Sequence, residues 1–257
     1  MMDISLVLPH PVIAGMVFVF GLLIGSFSNV CIYRLPRRES VVFPGSRCPE
    51  CSTPIRAMDN IPVFSYLFLL GQCRFCGSRI SFVYPFTELV TALLVTAVFL
   101  RFGWTWEFLI YVIVCPALLV ITVIDARHKI IPDKITLPGM VFGLAAGTYL
   151  VGIWASLLGF LVGGGLFYLV AVLSRGGMGG GDIKFIAAAG ALLGWKKILL
   201  IIFLGAVLGS IAGLAWMVVK KKGRKSQIPF GPFLAVGTLI AIFFGDELIH
   251  LYLVMMT

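Results

Sequence analysis

Ionisable side chains are scarce in this sequence. Only 12% of its 257 residues are Asp, Glu, Lys or Arg, where a soluble globular domain has about a quarter. Acids are the scarcest, 11 against 20 Lys and Arg. With 60% apolar residues and a mean hydropathy of +1.06, the shortage excludes a soluble chain and describes a polytopic membrane protein. A net charge of +9 would point to nucleic acid in a soluble protein. Here it marks loops facing anionic lipid, so membrane lipid is an expected partner and nucleic acid is not. A cleavable signal peptide is missing as well. The first apolar run ends in N-V-C-I-Y-R-L-P-R-R, with its positive charges after the run, and lacks an A-x-A-like site. It is expected to stay as a helix with its N-terminus outside. The chain has no glycine-rich nucleotide fingerprint following a strand.

What is present is a series of apolar runs, each set against the roughly 20 residues that a bilayer core requires. Val12–Tyr33, Tyr84–Leu100, Trp106–Ile124, Ile135–Val151 and Trp154–Leu173 are the first five. Ile183–Leu193, Ile198–Val219 and Pro229–Phe244 follow, with a short apolar tail in the interface. The predicted fold is an all-α polytopic membrane protein of about eight transmembrane helices, with a small loop domain between the first two. If the N-terminus lies outside, the loops facing the cytoplasm carry 17 of the 20 basic residues, and only Arg101, Lys196 and Lys197 fall elsewhere. That asymmetry sets the orientation.

The first of those loops contains C-P-E-C (Cys48, Cys51) and C-R-F-C (Cys73, Cys76). Paired C-x-x-C knuckles at this spacing are a zinc-ribbon pattern, in which four thiolates close a structural Zn²⁺ site. The alternative is two disulfides, which a cytoplasmic location disfavours. A loop of ~50 residues is too small for a secure core, so a metal staple has a physical purpose. Cys31 and Cys115 lie in apolar runs and are expected to pack there.

Arg175–Lys184 reads R-G-G-M-G-G-G-D-I-K. Five glycines in six residues cost helix stability and permit close backbone approach. Asp182 opens the apolar run that follows, either as a helix cap or as a functional carboxylate at membrane depth. Asp125 ends the third run in V-I-T-V-I-D-A-R-H-K-I-I-P-D, and the charge asymmetry places both aspartates at one membrane face. Two carboxylates brought within ~3 Å share a proton, because both cannot easily ionise. The ionised member then activates water while the protonated one polarises a peptide carbonyl. The pattern therefore points to an aspartic endopeptidase, with Asp125 and Asp182 as its catalytic pair. A scissile peptide must be extended when attacked, and the side-chain-free stretch around Gly179 and Gly181 suits it. Lys184 and Glu88 join these glycines as candidate substrate-positioning residues, Glu88 alternatively being structural and Lys184 alternatively snorkelling to headgroups. Asp133 is expected to cap the fourth helix, and His128 to be solvated. Competing classes are an ion-coupled transporter, for which no inverted repeat is present, and a non-catalytic scaffold.

Several pieces together resemble one family, the bifunctional prepilin peptidases, or type 4 prepilin leader peptidase/N-methyltransferases. They are G-S-F-S-N-V-C-I-Y-R-L-P (Gly25–Pro36), the cysteine knuckles, D-N-I-P (Asp59–Pro62), the Asp125 segment, G-M-G-G-G-D-I-K (Gly177–Lys184) and P-F-G-P-F-L-A (Pro229–Ala235). They occur in the order that the family shows. The resemblance implies a GxGD-type aspartic protease of family A24 in the bacterial inner membrane, with Asp125 and Asp182 catalytic and facing the cytoplasm. It implies type IV prepilins or type II secretion pseudopilins as substrates. It also implies methylation of the new N-terminal amine from S-adenosylmethionine, with the cysteine domain contributing. The family often has Glu shortly before G-M-G, where this chain has Arg175-Gly176-Gly177. The expected division is a first transmembrane helix at 1–33, a zinc-binding domain at 34–83 and a transmembrane peptidase domain at 84–257.

Overall fold

The computed structural model describes residues 10–175, 177–220 and 229–256. Gly176 and most of the basic run that follows Lys220 lie outside them. Among the described residues all regular structure is helical, apart from two isolated antiparallel bridges, Arg47 with Pro54 and Gln72 with Arg79. Hydrocarbon offers backbone N–H and C=O groups no partner, and a helix satisfies them internally. The helices are α1 His10–Arg34, α2 Phe64–Phe68, α3 Val83–Phe102, α4 Trp106–His128, α5 Asp133–Leu150, α6 Ile153–Leu173, α7 Gly180–Lys220 and α8 Gly231–Met256. A short 3₁₀ turn, Ala57–Asn60, precedes α2.

Six of these helices are long and apolar enough to cross a membrane, namely α1, α3, α4, α6, α7 and α8; this is a multi-pass membrane protein. The count differs from the eight spans expected at α5 and at α7. The 18 residues of α5 open on Asp133 and Lys134 and include three glycines, which dilutes their hydropathy. The sixth and seventh runs are two helical segments numbered together as α7, which meet at Gly194, where the backbone leaves helical geometry with φ 80° and ψ 171°. A positive φ of this kind favours glycine. The apolar tail after the last run continues α8 as helix to Met256.

The chain divides into two compact units, Met1–Val120 and Ile121–Thr257. In the first, α1 lies against α3 across two glycines spaced four residues apart. A Cβ on Gly21 would stand 2.7 Å from Ala92 Cα, and one on Gly25 would stand 2.6 Å from Glu88 Cα. Small residues at such a crossing let two backbones approach, the usual device where burial from water cannot drive helices together. Beyond α1, the buried Arg34 guanidinium donates to the carbonyls of Ser40 (3.0 Å), Pro44 (2.7 Å) and Gly45 (3.2 Å). It thereby folds the loop back onto the helix end. Phe99, Trp104 and Phe108 stack edge to face across the α3–α4 turn.

In the second unit α7 is central. Its first half carries A-A-A-G-A and is gripped by Gly143 and Gly147 of α5 and by Gly159 and Gly163 of α6. Gly159 and Gly190 face one another so closely that neither has room for a Cβ. Ser156 Oγ donates to Ala191 O at 2.6 Å. The second half of α7 meets α8 through Lys197 with Asp246, Ile201 with Gly237, Gly205 with Leu234 and Gly209 with Phe233. Rising numbers on α7 thus meet falling numbers on α8, so these segments are antiparallel. Ile198 packs back beside Gly190 and, with Ile186, against Gly163, so the chain reverses at Gly194.

These crossings set a size limit that packing experiments can read. Overpacking costs about 1–3 kcal/mol. Gly25→Val should destabilise the detergent-solubilised protein by that order, read as a fall in its thermal midpoint. Gly15→Val, where a Cβ meets nothing within 4 Å, should leave it unchanged.

Candidate active site

Asp125 occupies the last turn of α4 and is buried, with 5% of its surface exposed. Its Oδ2 accepts a hydrogen bond from the Gly231 N–H at 2.8 Å. Gly231 is the first residue of α8, followed by Pro232, which lacks an N–H and is at home in a first turn. A Cβ at Gly231 would lie 2.7 Å from Asp125 Oδ2 and 3.2 Å from Ile131 Cδ1. Only glycine lets the carboxylate rest against the backbone there.

Asp182 stands in the first turn of α7. Its carboxylate accepts from the backbone N–H of Gly179, and its own N–H donates to Gly179 O at 3.1 Å. This is the reach-back of a capping box, in which the third helical residue satisfies the residue before the helix. Capping occupies one side of the carboxyl group. The other oxygen, Oδ1, is buried and has no hydrogen-bond partner among the described residues, a costly state for a carboxylate oxygen. Asp125 is close enough to act on Asp182 electrostatically.

Ile131 ties these elements together. A Cβ at Gly181 would come within 2.9 Å of Ile131 Cβ, and the tip of the same side chain abuts Gly231. The ends of α4, α7 and α8 therefore converge on one buried isoleucine. Lys184 reaches across to Asp133 Oδ1 at 2.6 Å and fastens the first turn of α7 to that of α5. Asp133 does not cap α5 as expected. Pro132 holds the N-cap position, with φ −66° and ψ 131°, and no side chain caps the helix. Gly231 and Ile131 carry no sequence signal of their own, since each acts by where it packs.

In the first unit the cysteines also converge. All six cysteines are free, and the sulfurs of Cys48, Cys51, Cys73 and Cys76 lie within 4.8 Å of one another. Each knuckle uses the same backbone pattern. Cys48 N donates to Thr53 O and Ser52 N to Cys48 O, as Cys73 N donates to Ser78 O and Gly77 N to Cys73 O. Ser52 and Gly77 occupy matching positions with φ of 56° and 69°. Four sulfurs at Zn–S distances of about 2.3 Å on a tetrahedron stand about 3.8 Å apart, and Cys48 Sγ lies 3.8 Å from Cys76 Sγ. The Cys51 N–H aimed at Cys48 pulls that thiol down to about 6, which favours the thiolate that binds metal. The cluster thus fits a closed four-thiolate metal site.

Glu88 is buried on α3, with no basic partner among the described residues. It accepts from Val63 N–H at 2.7 Å and from Asn29 Nδ2 at 3.5 Å. Asn29 Nδ2 also donates to Tyr84 O at 3.0 Å. Glu88 is therefore the knot between G-S-F-S-N on α1 and D-N-I-P-V in the loop.

Residues 19–102 match the model of the bacterial peptidase A24 N-terminal domain, and residues 111–214 match that of the type IV leader peptidase family. The chain belongs to the prepilin leader peptidase/N-methyltransferase family. It is 36% identical to the prepilin leader peptidase/N-methyltransferase of Aeromonas hydrophila, with 93% of each chain covered. It is 35% identical to that of Bacillus subtilis strain 168, over 94% of this chain and 98% of that one. The Pseudomonas aeruginosa protein of the same name is 36% identical, with 91% of each covered. No solved structure matches the chain.

The four-sulfur geometry has a direct check. Metal analysis of the purified protein should find about one equivalent of a divalent ion held by four thiolates. Cys48→Ala and Cys73→Ala should each release it. Undiminished metal in either variant would remove these cysteines from the site.

Proposed function

We propose that this protein is a membrane aspartic endopeptidase that removes the leader from type IV prepilins or type II secretion pseudopilins, with Asp125 and Asp182 as its catalytic pair. The observation that carries the proposal is the convergence on Ile131 of the turns that bear two carboxyl groups, the buried Asp125 held by Gly231 and the half-buried Asp182 with one buried oxygen that has no partner among the described residues. A donor already serves Asp125 Oδ2, which suits Asp125 to be the ionised partner that takes a proton from water. Asp182 then carries the shared proton on its unpartnered side, where it polarises the substrate carbonyl. Gly231 positions Asp125 through its N–H, and Lys184 with Asp133 positions the turn that bears Asp182. Gly179–Gly181 offers an extended substrate an approach that side chains do not obstruct.

The same enzyme, by its family, methylates the new N-terminus from S-adenosylmethionine. Residues 34–83 form its zinc-binding domain and residues 84–257 its transmembrane peptidase domain. The distribution of basic residues supports an N-terminus outside, with both aspartates at the cytoplasmic face of the inner membrane. The Cys48, Cys51, Cys73 and Cys76 ion is structural Zn²⁺, because four thiolates leave no open position for catalysis.

Purified variants incubated with a prepilin in detergent or vesicles test the pair. Asp125→Asn and Asp182→Asn should each lower leader cleavage by about a hundredfold or more, with membrane insertion unchanged. Efficient cleavage by either would overturn the assignment. Among the glycines the response should be uneven. A Cβ at Gly180 meets nothing within 4 Å, whereas one at Gly181 strikes Ile131 and one at Gly179 comes 3.0 Å from Asp182 Oδ2. Gly180→Ala should cleave at the normal rate, while Gly181→Val and Gly179→Val should be slow. Equal rates at all three would exclude a role for close approach.

A further inference from the structure

We propose that the loop between α1 and α3 dips into the bilayer interface, with α2 lying on the membrane and its apolar face against lipid. The segment Ile61–Gly71, I-P-V-F-S-Y-L-F-L-L-G, holds eleven residues without a charge, far short of the roughly 20 needed to span. Its burial is reversed relative to that of a soluble helix. The polar Ser65 is turned inward, donating through Oγ to Met58 O and accepting from Ile61 N–H, both at 2.9 Å. Phe64, Leu67, Phe68 and Leu70 are turned outward, 54%, 62%, 84% and 85% exposed. Outward apolar patches of this kind mark an interaction surface.

Two observations identify lipid as what covers it. The first is depth. Val63, immediately before α2, is hydrogen-bonded to Glu88, which is bonded in turn to Asn29. Glu88 lies five residues inside the loop end of the α3 span, and Asn29 lies five residues inside the loop end of the α1 span. At 1.5 Å per residue the Glu88 and Asn29 backbones lie about 7 Å inside those helix ends, and the start of α2 is tied to them. The second is continuity. Tyr66 of α2 packs edge-on to Phe82, with ring centroids 6.4 Å apart, and Phe82 packs on Phe86 at 6.3 Å. Phe86 begins an exposed stripe with Leu89, Leu93 and Leu100, which fall within about 60° of one another around α3. On a membrane span such a stripe faces acyl chains, and the α2 surface extends it. On the other side of the segment, the charged Asp59–Arg74 pair, 2.6 Å apart, marks where the loop turns to water. A short apolar surface joined to a polar one is the design of an interfacial element.

The test uses the full chain reconstituted in vesicles of phosphatidylethanolamine and phosphatidylglycerol. A benzoylphenylalanine photoprobe replaces Phe68 or Leu70, and Leu93 serves as the lipid-facing reference. Because Phe68 and Leu70 are exposed, the probe should not disturb folding. Irradiation followed by mass analysis should find lipid adducts at both positions, within about threefold of the yield at Leu93. Lipid adducts at Leu93 but none at Phe68 or Leu70 would overturn the proposal. So would a principal adduct to a second copy of the chain, or to added prepilin, because the face would then be a protein-docking surface.

Discussion

Helices in hydrocarbon gain nothing by hiding apolar surface from one another, since lipid tails are as apolar as leucine. What holds them together is close packing, and close packing needs small residues where backbones cross. In this protein that requirement organises both units. Gly21 and Gly25 let α1 lie on α3, while Gly159 and Gly190 let α6 lie on the first half of α7. The second crossing has the larger consequence. Gripped between α5 and α6, the start of α7 is fixed, and with it the turn that carries Asp182. The reversal at Gly194 then returns the chain along α8, whose first residue meets Asp125.

The scarcity of ionisable groups gives each of them weight. Arg34 is held by three loop carbonyls, Glu88 by Val63 and Asn29, Lys197 by Asp246 and Lys184 by Asp133. These groups have partners and serve as fasteners. Asp182 differs, because one carboxylate oxygen caps its helix and the other is buried with no partner among the described residues. An unsatisfied polar atom in an apolar setting is expensive, and such costs are tolerated where chemistry uses the group. The glycines around it follow the same logic at the scale of single atoms. Gly181 and Gly231 have no room for a methyl group, because Ile131 and Asp125 already fill the space.

Much of this was legible in the sequence by itself. Apolar run lengths located the spans, since bilayer thickness fixes how many residues a helix needs. Paired C-x-x-C knuckles announced a four-thiolate cluster, because metal geometry demands that spacing. Two lone aspartates at the ends of apolar runs stood out against a background nearly free of charge. Tertiary structure alone decided how those pieces meet. It folded the sixth and seventh runs back on one another at Gly194, a residue no different in sequence from its many fellow glycines. It gave Glu88 to Val63 rather than to a basic group, and Lys184 to Asp133. It also brought Gly231, 106 residues away in sequence, onto Asp125. Run length and motif spacing report what one segment requires of its surroundings. Which backbone N–H faces a given carboxylate depends on how several helices cross, and no single segment encodes that.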